Sequence, residues 1–275
     1  MAVKVFDKRE AKVRLDAISA DPPKGMTREK AEARFAKLGQ ELFDLQDAMF
    51  GAKVTSVLVV LQGRDGAGKD GAIKHVAGCL NPRGVIVTSF GVPTPEERAH
   101  DFLWRVHRHA PRLGEFSIFN RSHYEDVLVV RVHGLAPKSL WKERYGHIRD
   151  FEELLAEHGT VVLKYFLHIT KEEQERRLLE REESPETAWK LNPNDWKERD
   201  HWDEYTRAYE DAISKTAARH APCSALLSRL GRGSAGAVRR PPASELRPRP
   251  SRRVPTRSGP SDPPAPSTAC PARRT

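Results

Sequence analysis

The sequence has few cysteines and no long hydrophobic run. Its three cysteines, Cys79, Cys223 and Cys270, stand far apart and form no C-x-x-C pair or metal-ligand spacing. This usage favours a reduced, cytoplasmic protein. No apolar run approaches the ~20 residues that span a bilayer, and the first ten residues lack the apolar centre of a secretory signal. We therefore expect no membrane partner.

Lysine and aromatic residues are missing from the last part of the chain. The last aromatic residue is Tyr209 and the last lysine is Lys215, while residues 223–275 hold eleven arginines, two acidic residues and ten of the twenty prolines. Their net charge of +9 equals that of the whole chain, so the preceding residues are neutral and nucleic acid is not an expected partner. We predict that residues 223–275 form a disordered tail, because they cannot bury enough apolar surface to fold.

Short apolar runs alternate with helical stretches over the rest of the chain. Four runs predict strands, at residues 56–62, 85–90, 115–120 and 160–169. Residues 27–50 predict an amphipathic helix whose apolar face consists of Phe35, Leu38, Leu42, Leu45 and Met49. Strands that alternate with helices indicate a parallel sheet covered by helices on both faces.

A glycine-rich loop, GRDGAGK, follows the first predicted strand at residues 63–69. Alone, its spacing arises by chance in about one chain in ten of this length. The strand before it and the helix after it favour anion binding over a ligand-free turn, since they direct backbone N–H groups and the positive end of a helix dipole at one point. Lys69 adds a full positive charge. The phosphate-binding candidates here are Gly63, Gly66, Ala67, Gly68, Asp70 and Gly71.

The loop lacks the Ser or Thr that usually holds Mg²⁺, and Asp70 stands in its place. Asp65 lies inside the loop. An acidic side chain in a phosphate-binding loop repels its ligand unless a cation lies between them, so we interpret Asp65 as a Mg²⁺ ligand. Glu125, after the third predicted strand, is the second candidate, because Mg²⁺ prefers hard oxygen ligands. An exposed Asp65 that points away from the loop is the alternative.

Three arginines are candidates for binding phosphate. Arg121 stands at the tip of the third predicted strand, where a guanidinium can hold a phosphate through two hydrogen bonds. Arg177 and Arg181 lie four residues apart and share a helix face. Small P-loop kinases carry an arginine-bearing lid at this place, and we predict a lid over residues 170–205. A surface ion pair and a solvated charged helix are the alternatives.

Four stretches of the sequence together resemble the type 2 polyphosphate kinases. They are LVVLQGRDGAGKDGAIKHV, LNPRGVIVTSFGVPT, HDFLWRVHRHAPRLGEFSIFNRSHYEDVLVVRVHGL and WKLNPNDWKERDHWDEYTRAYEDAI, in unbroken order within residues 27–222. The block IFNRSHYEDVLVVRVHG is most similar to the branch that phosphorylates nucleoside mono- and diphosphates.

The resemblance implies an α/β fold, the three-layer thymidylate-kinase-like P-loop kinase fold with a parallel sheet and a helical lid. It implies phosphoryl transfer from inorganic polyphosphate to a purine nucleotide, AMP, ADP or GDP, with Mg²⁺. The functional residues of the family fall on Asp65, Lys69, Arg121 and Glu125, which we predict as catalytic, and a lid arginine falls on Arg181. Asp65 and Glu125 are the predicted metal ligands.

The predicted domains are an N-terminal helical extension over residues 1–54, a kinase domain over 55–222 and the tail. Family members continue after this point with a tryptophan-containing sequence and a final helix. Here Arg, Pro, Ala, Gly and Ser take over, which is typical of GC-rich codons read out of frame. We therefore hypothesise a frameshifted terminus.

Two other functions stay open at this stage. A nucleoside monophosphate kinase would use the same fold with ATP as the donor. A polyanion-binding protein would act through the arginine-rich tail. We also expect the chain to form a homo-oligomer, with the helix over residues 27–50 packed either on its own sheet or on a partner.

Overall fold

A six-stranded sheet lies at the centre of the fold. The computed structural model describes residues 3–9, 12–18, 25, 27–184 and 193–227. Its strands are β1 (Val3–Phe6), β2 (Ser56–Gly63), β3 (Val85–Ser89), β4 (Phe116–Asn120), β5 (Thr160–His168) and β6 (Cys223–Leu227). They pair in the order β1-β6-β5-β2-β4-β3. The neighbouring pairs from β6 to β3 are parallel, and β1 is antiparallel to β6.

Helices connect the strands and cover the sheet. Within the described residues they are α1 (Arg28–Ala52), α2 (Lys69–Ala77), α3 (Pro95–Ala99), α4 (Trp104–His107), α5 (Val129–Val132), α6 (Lys138–Glu157), α7 (Lys171–Glu183), α8 (Pro193–Glu198) and α9 (Trp202–Thr216). Short 3₁₀ turns occur at Pro82–Gly84, His123–Asp126 and Arg199–His201. None of these helices is both long enough and apolar enough to cross a bilayer.

Two apolar cores lie on opposite faces of the sheet, because successive side chains of a strand point in opposite directions. In β2, Leu58 and Val60 face the core that α6 and α9 cover, whereas Val59 and Leu61 face the core that α2 covers. The fold therefore has three layers, helix–sheet–helix. The predicted α/β class and the four predicted strands are confirmed.

The predicted start of the disordered tail is wrong. Residues 223–227 form β6, which hydrogen-bonds with β1 on one side and β5 on the other. The prediction was based on the absence of aromatic residues after Tyr209 and of lysine after Lys215. A strand inside a sheet needs neither, because small or apolar residues such as the fully buried Ala225 are sufficient. The predicted disorder and shifted frame over residues 228–275 lie outside the described residues.

The N-terminal segment is only partly the helical extension that we predicted. Residues 3–6 form β1 at the edge of the sheet, while α1 begins after Thr27, whose side chain accepts a hydrogen bond from the backbone N–H of Lys30. The predicted apolar face of α1 is half covered. Two of its residues, Leu42 and Met49, pack against the core beneath α2, but Leu45 is 70% exposed.

Candidate active site

The predicted site residues meet at the carboxyl ends of β2, β4 and β5. These three strands are adjacent and parallel, so the segments that follow them emerge at the same edge of the sheet. The glycine-rich loop follows β2, a sharp turn follows β4, and α7 follows β5. Hydrogen bonds between these segments, given below, bring the predicted lysine, arginines and carboxylates together.

Lys69 is buried beneath the glycine-rich loop. Its Nζ donates hydrogen bonds to the backbone oxygens of Gly63 at 2.6 Å and Arg64 at 3.1 Å. The Asp65 carboxylate lies 3.9 Å away. Burial lowers the pKa of Lys69, and the nearby Asp65 opposes that shift. The ammonium group is thus fixed by the loop and set against an anionic partner.

Two loop glycines are required by the backbone. A Cβ at Gly63 would lie 2.9 Å from the backbone oxygen of Leu167, so glycine allows β2 and β5 to approach closely at this point. Gly66 has a φ of +79°, a left-handed conformation that glycine adopts without strain. At Gly71, by contrast, a Cβ would meet no atom within 4 Å.

The remaining loop residues form the start of α2. Ala67 is fully buried and Gly68 caps the helix with a φ of 91°. Asp70 lies in the first helical turn, where its Oδ1 accepts a hydrogen bond from Asn120 Nδ2 at 3.1 Å. The residue that replaces the usual Ser or Thr therefore joins the loop helix to the tip of β4.

Arg121 links the two predicted metal ligands. Its Nη2 donates to Asp65 Oδ1 at 2.8 Å, and its Nη1 lies 3.7 Å from Glu125 Oε2. Burial alone would lower the pKa of Arg121. The negative charges of Glu125 and Asp65 together outweigh this effect, so the pKa is raised overall. Arg121 also has a φ of 62°, which is uncommon for a residue with a side chain and typical of functional sites.

Two carboxyl groups of this site, those of Glu125 and Asp195, have raised pKa values. Burial raises the pKa of Glu125, even though Arg121 and Lys69 act in the opposite direction. Asp195 of α8 behaves in the same way, since burial and the negative charge of Asp65 both raise its pKa. Asp65 and Glu125 thus share the positive charge of Lys69 and Arg121, whereas Asp195 forms an ion pair with Arg181.

Asp195 was missed in the sequence analysis. The sequence contained a signal, because Asp195 stands in one of the four stretches that resemble the family. That stretch, WKLNPNDWKERD, is crowded with charges, and nothing in its spacing distinguishes a site residue from a solvated one. In the structure Asp195 is buried, and its Oδ2 lies 3.3 Å from Arg181 Nη1.

Residues of α7 contact the loop directly. Arg177 Nη1 donates to the backbone oxygen of Gly66 at 3.0 Å, and Gln174 Nε2 donates to that of Asp65 at 2.8 Å. Arg181 lies one turn further on, and its buried Nε has no hydrogen-bond partner among the described residues. Arg177 is therefore bound to the loop, whereas Arg181 contacts Asp195 of α8 and keeps a buried donor without a partner among the described residues.

A buried network holds the turn that carries Glu125. Tyr124 donates its hydroxyl to Glu152 Oε1 at 2.9 Å, and His123 Nε2 lies 3.4 Å from the same oxygen. Lys164 Nζ donates to Glu152 Oε2 at 2.6 Å. Burial would raise the pKa of Glu152, but the positive charge of Lys164 and the hydrogen bond with His123 together outweigh burial, so the net shift is downward.

The site offers oxygen ligands for a metal but no complete set. Among the described residues, no three His, Cys, Asp or Glu side chains form a group that could hold a metal ion. Mg²⁺ rarely needs one, because it keeps several waters and binds through one or two carboxylates together with substrate phosphates. Asp65 and Glu125 fit that mode, and the negative charge of Asp65 also acts on Asp195.

Comparison with a family model gives a match over most of the chain. The model described as "Polyphosphate kinase 2 (PPK2)" matches residues 25–229. The match extends beyond residue 222, the predicted end of the kinase domain, and includes all of β6.

Curated relatives and solved structures point the same way. The chain is 54% identical over 187 residues to the AMP/ADP-polyphosphate phosphotransferase of Meiothermus ruber, covering 68% of this chain and 70% of that protein. It is 43% identical over 195 residues to the ADP-polyphosphate phosphotransferase of Rhodopseudomonas palustris, covering 66% and 68%. The crystal structure of Polyphosphate Kinase 2 from Arthrobacter aurescens TC1 superposes with a TM-score of 0.77 at 37% identity, covering 81% of each chain.

Proposed function

The chain belongs to the polyphosphate kinase 2 family, and we propose that it transfers a phosphoryl group reversibly from inorganic polyphosphate to a nucleoside mono- or diphosphate. The observation that carries this proposal is the contact between the glycine-rich loop and the turn after β4. There Asp65 lies within ion-pair distance of both Lys69 and Arg121, and Arg121 also lies within that distance of Glu125. AMP and ADP are the proposed acceptors, with GDP as a further one.

Joining two polyanions is the main physical difficulty of this reaction. The acceptor oxygen is a phosphate oxygen that is largely ionised at neutral pH, so it needs no general base. The transition state spreads negative charge over the transferred group, and fixed positive charges stabilise it. We propose that Lys69, Arg121 and the loop N–H groups supply this charge, and that Asp65 and Glu125 are not bases.

Asp65 and Glu125, with Asp195 beside them, are the proposed ligands of Mg²⁺. The raised pKa values of Glu125 and Asp195 support this assignment, because they mark carboxylates whose charge the protein alone does not offset. When bound, Mg²⁺ would neutralise phosphate charge between donor and acceptor. Arg121 already contacts Asp65, so the guanidinium is positioned to bind a phosphate oxygen beside the same carboxylate.

We propose that α7 and α8 form the lid predicted over residues 170–205, of which residues 185–192 lie outside the described ones. The hydrogen bonds of Arg177 to the loop and the ion pair between Arg181 and Asp195 support a lid that closes over phosphates. The kinase domain then runs to residue 227, since it needs β6. We further expect a cytoplasmic homo-oligomer, with the exposed part of α1 as the partner-binding face.

The test is to incubate the purified chain with ADP, long-chain polyphosphate and Mg²⁺ without any added ATP, and to measure ATP. We expect ATP to form. The control omits polyphosphate: a nucleoside monophosphate kinase would still form ATP there, from two ADP with release of one AMP, so ATP formation at the same rate without polyphosphate would show that the chain is such a kinase instead. A variant that ends at residue 227 tests the third possibility, because loss of polyphosphate binding on removal of the arginine-rich tail would assign binding to the tail.

A further inference from the structure

A wide groove lies between α6 and α9, on residues that do not belong to the site described above. Its volume is about 740 Å³. Three segments of the chain line it: the residues after β1, the first half of α6 and the end of α9. The lining residues are Arg9, Lys142, Glu143, Tyr145, Gly146, Arg149, Ser214 and Lys215.

The groove is strongly basic, with four cationic side chains and one acidic side chain in its lining. Two of the cations are held by the framework. Arg149 Nη1 donates to the backbone oxygen of Lys215 at 3.1 Å. The Lys215 ammonium lies 2.9 Å from Asp211 and 4.9 Å from the centre of the Tyr145 ring. These contacts fix positive charge along one wall.

The other two cationic side chains have no partner among the described residues. Arg9 and Lys142 are both exposed, and neither makes an ion pair or a side-chain hydrogen bond with any described residue. Like charges gathered on one surface repel one another, so such a cluster costs stability unless an anion lies between them. The arrangement is therefore suited to a ligand with several negative charges rather than to the unliganded protein.

Gly146 keeps the floor of the groove open. Glycine in a helix interior costs about 1 kcal/mol relative to alanine. A Cβ at this position would meet only Arg149 Nη2, at 3.9 Å, which is an ordinary contact. Packing thus gives no reason for glycine here, whereas an open floor lets an extended ligand lie close to the helix backbone.

We propose that this groove is a second binding site for inorganic polyphosphate, which holds a part of the chain that is not reacting. The inference rests on the proposed function. Polyphosphate carries a negative charge on each phosphate unit, so a long chain can occupy the groove and the transfer site of one molecule or of neighbouring molecules. Binding at the groove raises the local concentration of donor ends, which lowers KM for long chains without changing the chemical step.

The test compares long-chain polyphosphate with short oligophosphates as donors to ADP. In the double variant Arg9→Glu/Lys142→Glu we expect KM for the long chain to rise about five- to tenfold, with kcat unchanged. KM for the short donor should stay at the wild-type value, because a short chain cannot reach the groove while it reacts. Added salt should narrow the difference between the two proteins, because it screens exposed charges.

The matched control is Arg108→Glu/Arg112→Glu, which makes the same change in net charge on the exposed segment between α4 and β4. An equal rise in KM in the control, an equal rise for both donor lengths, or no rise at all would each overturn the groove assignment. Direct binding of long-chain polyphosphate, measured without nucleotide, separates this inference from the proposed function. If wild-type protein binds the chain more tightly than the double variant but forms no ATP, the groove stands and the proposed function fails.

Discussion

Two glutamates, the half-buried Glu125 and the fully buried Glu152, have opposite electrostatic environments. Glu152 lies 2.6 Å from Lys164 and accepts a further hydrogen bond from Tyr124, and its pKa is lowered. Glu125 lies 3.7 Å from Arg121, shares that cation with Asp65, and has a raised pKa because burial outweighs its partners. Glu125 lies in the short turn after β4, and Glu152 accepts a hydrogen bond from Tyr124 of the same turn.

The contrast separates a structural charge from a functional one. The protein itself satisfies Glu152, so this carboxylate stabilises the fold and needs no ligand. Glu125 shares Arg121 with Asp65, and its raised pKa indicates that the protein does not fully offset the charge of the Glu125 carboxylate. A cation is the missing partner, and a phosphate chain brings one with it as Mg²⁺. We therefore propose that Glu152 anchors the fold and that Glu125 binds the ligand.

The largest effect is expected from the structural pair. Glu152→Ala removes the partner of the buried Lys164 and should lower the free energy of unfolding by about 3–5 kcal/mol. Denaturant titration measures it. The matched variant Glu152→Met/Lys164→Met removes both charges and should restore most of the loss. A single variant as stable as the wild type would contradict the anchoring role.

The same pair predicts a dependence on pH. The pKa of Glu152 is lower in the folded state than its ordinary value of 4.5. Its stabilising contribution is therefore complete above that ordinary value and is lost as the pH falls through the lowered one. Unfolding curves of the wild type and of Glu152→Gln should accordingly converge in acid. A gap that widens as the pH falls would show that another group is responsible.

Lys69→Ala should remove activity without a comparable loss of stability. Deleting one preorganised charge-stabilising donor costs on the order of 10²-fold in kcat. We expect Lys69→Ala to unfold near the wild-type midpoint, while its rate of ATP formation from ADP and polyphosphate falls by that factor. Turnover close to wild type would remove the glycine-rich loop from the reaction.

Asp65→Asn should weaken the dependence on Mg²⁺. We expect the Mg²⁺ concentration for half-maximal rate to rise about tenfold or more. Asp150→Asn is the control, since it makes the same chemical change on the exposed surface of α6, outside the site. A Mg²⁺ titration of Asp65→Asn that overlays the wild type would count against the ligand role.

Local patterns were sufficient to predict the strands around the site and the loop itself. A run such as SVLVVLQ and the glycine spacing after it depend on neighbours in sequence. Thr94 and Glu97 form the reciprocal capping box that their spacing predicts. These features lie close together in sequence, so a single chain reveals them.

Contacts between distant segments could not be predicted in this way. β6 is a strand because β1 and β5, more than 50 residues away, supply its hydrogen bonds. Asp195 interacts electrostatically with Asp65 although the two residues stand far apart in the sequence, and the pairing of Glu152 with Lys164 depends on α6 packing against β5. Residue type suggested that Arg121 and Asp65 have related roles, but only the fold shows that they touch.

The most direct test of the distinction between the two carboxylates is the stability of Glu125→Gln without nucleotide, phosphate or Mg²⁺. The raised pKa of Glu125 means that its ionisation in the folded state costs stability as the pH rises above the ordinary value of 4.5. At neutral pH the account predicts that Glu125→Gln has a higher Tm than the wild type, and that it forms less ATP from ADP and polyphosphate. A lower Tm at neutral pH would contradict the account, because Glu125 would then be an anchor like Glu152.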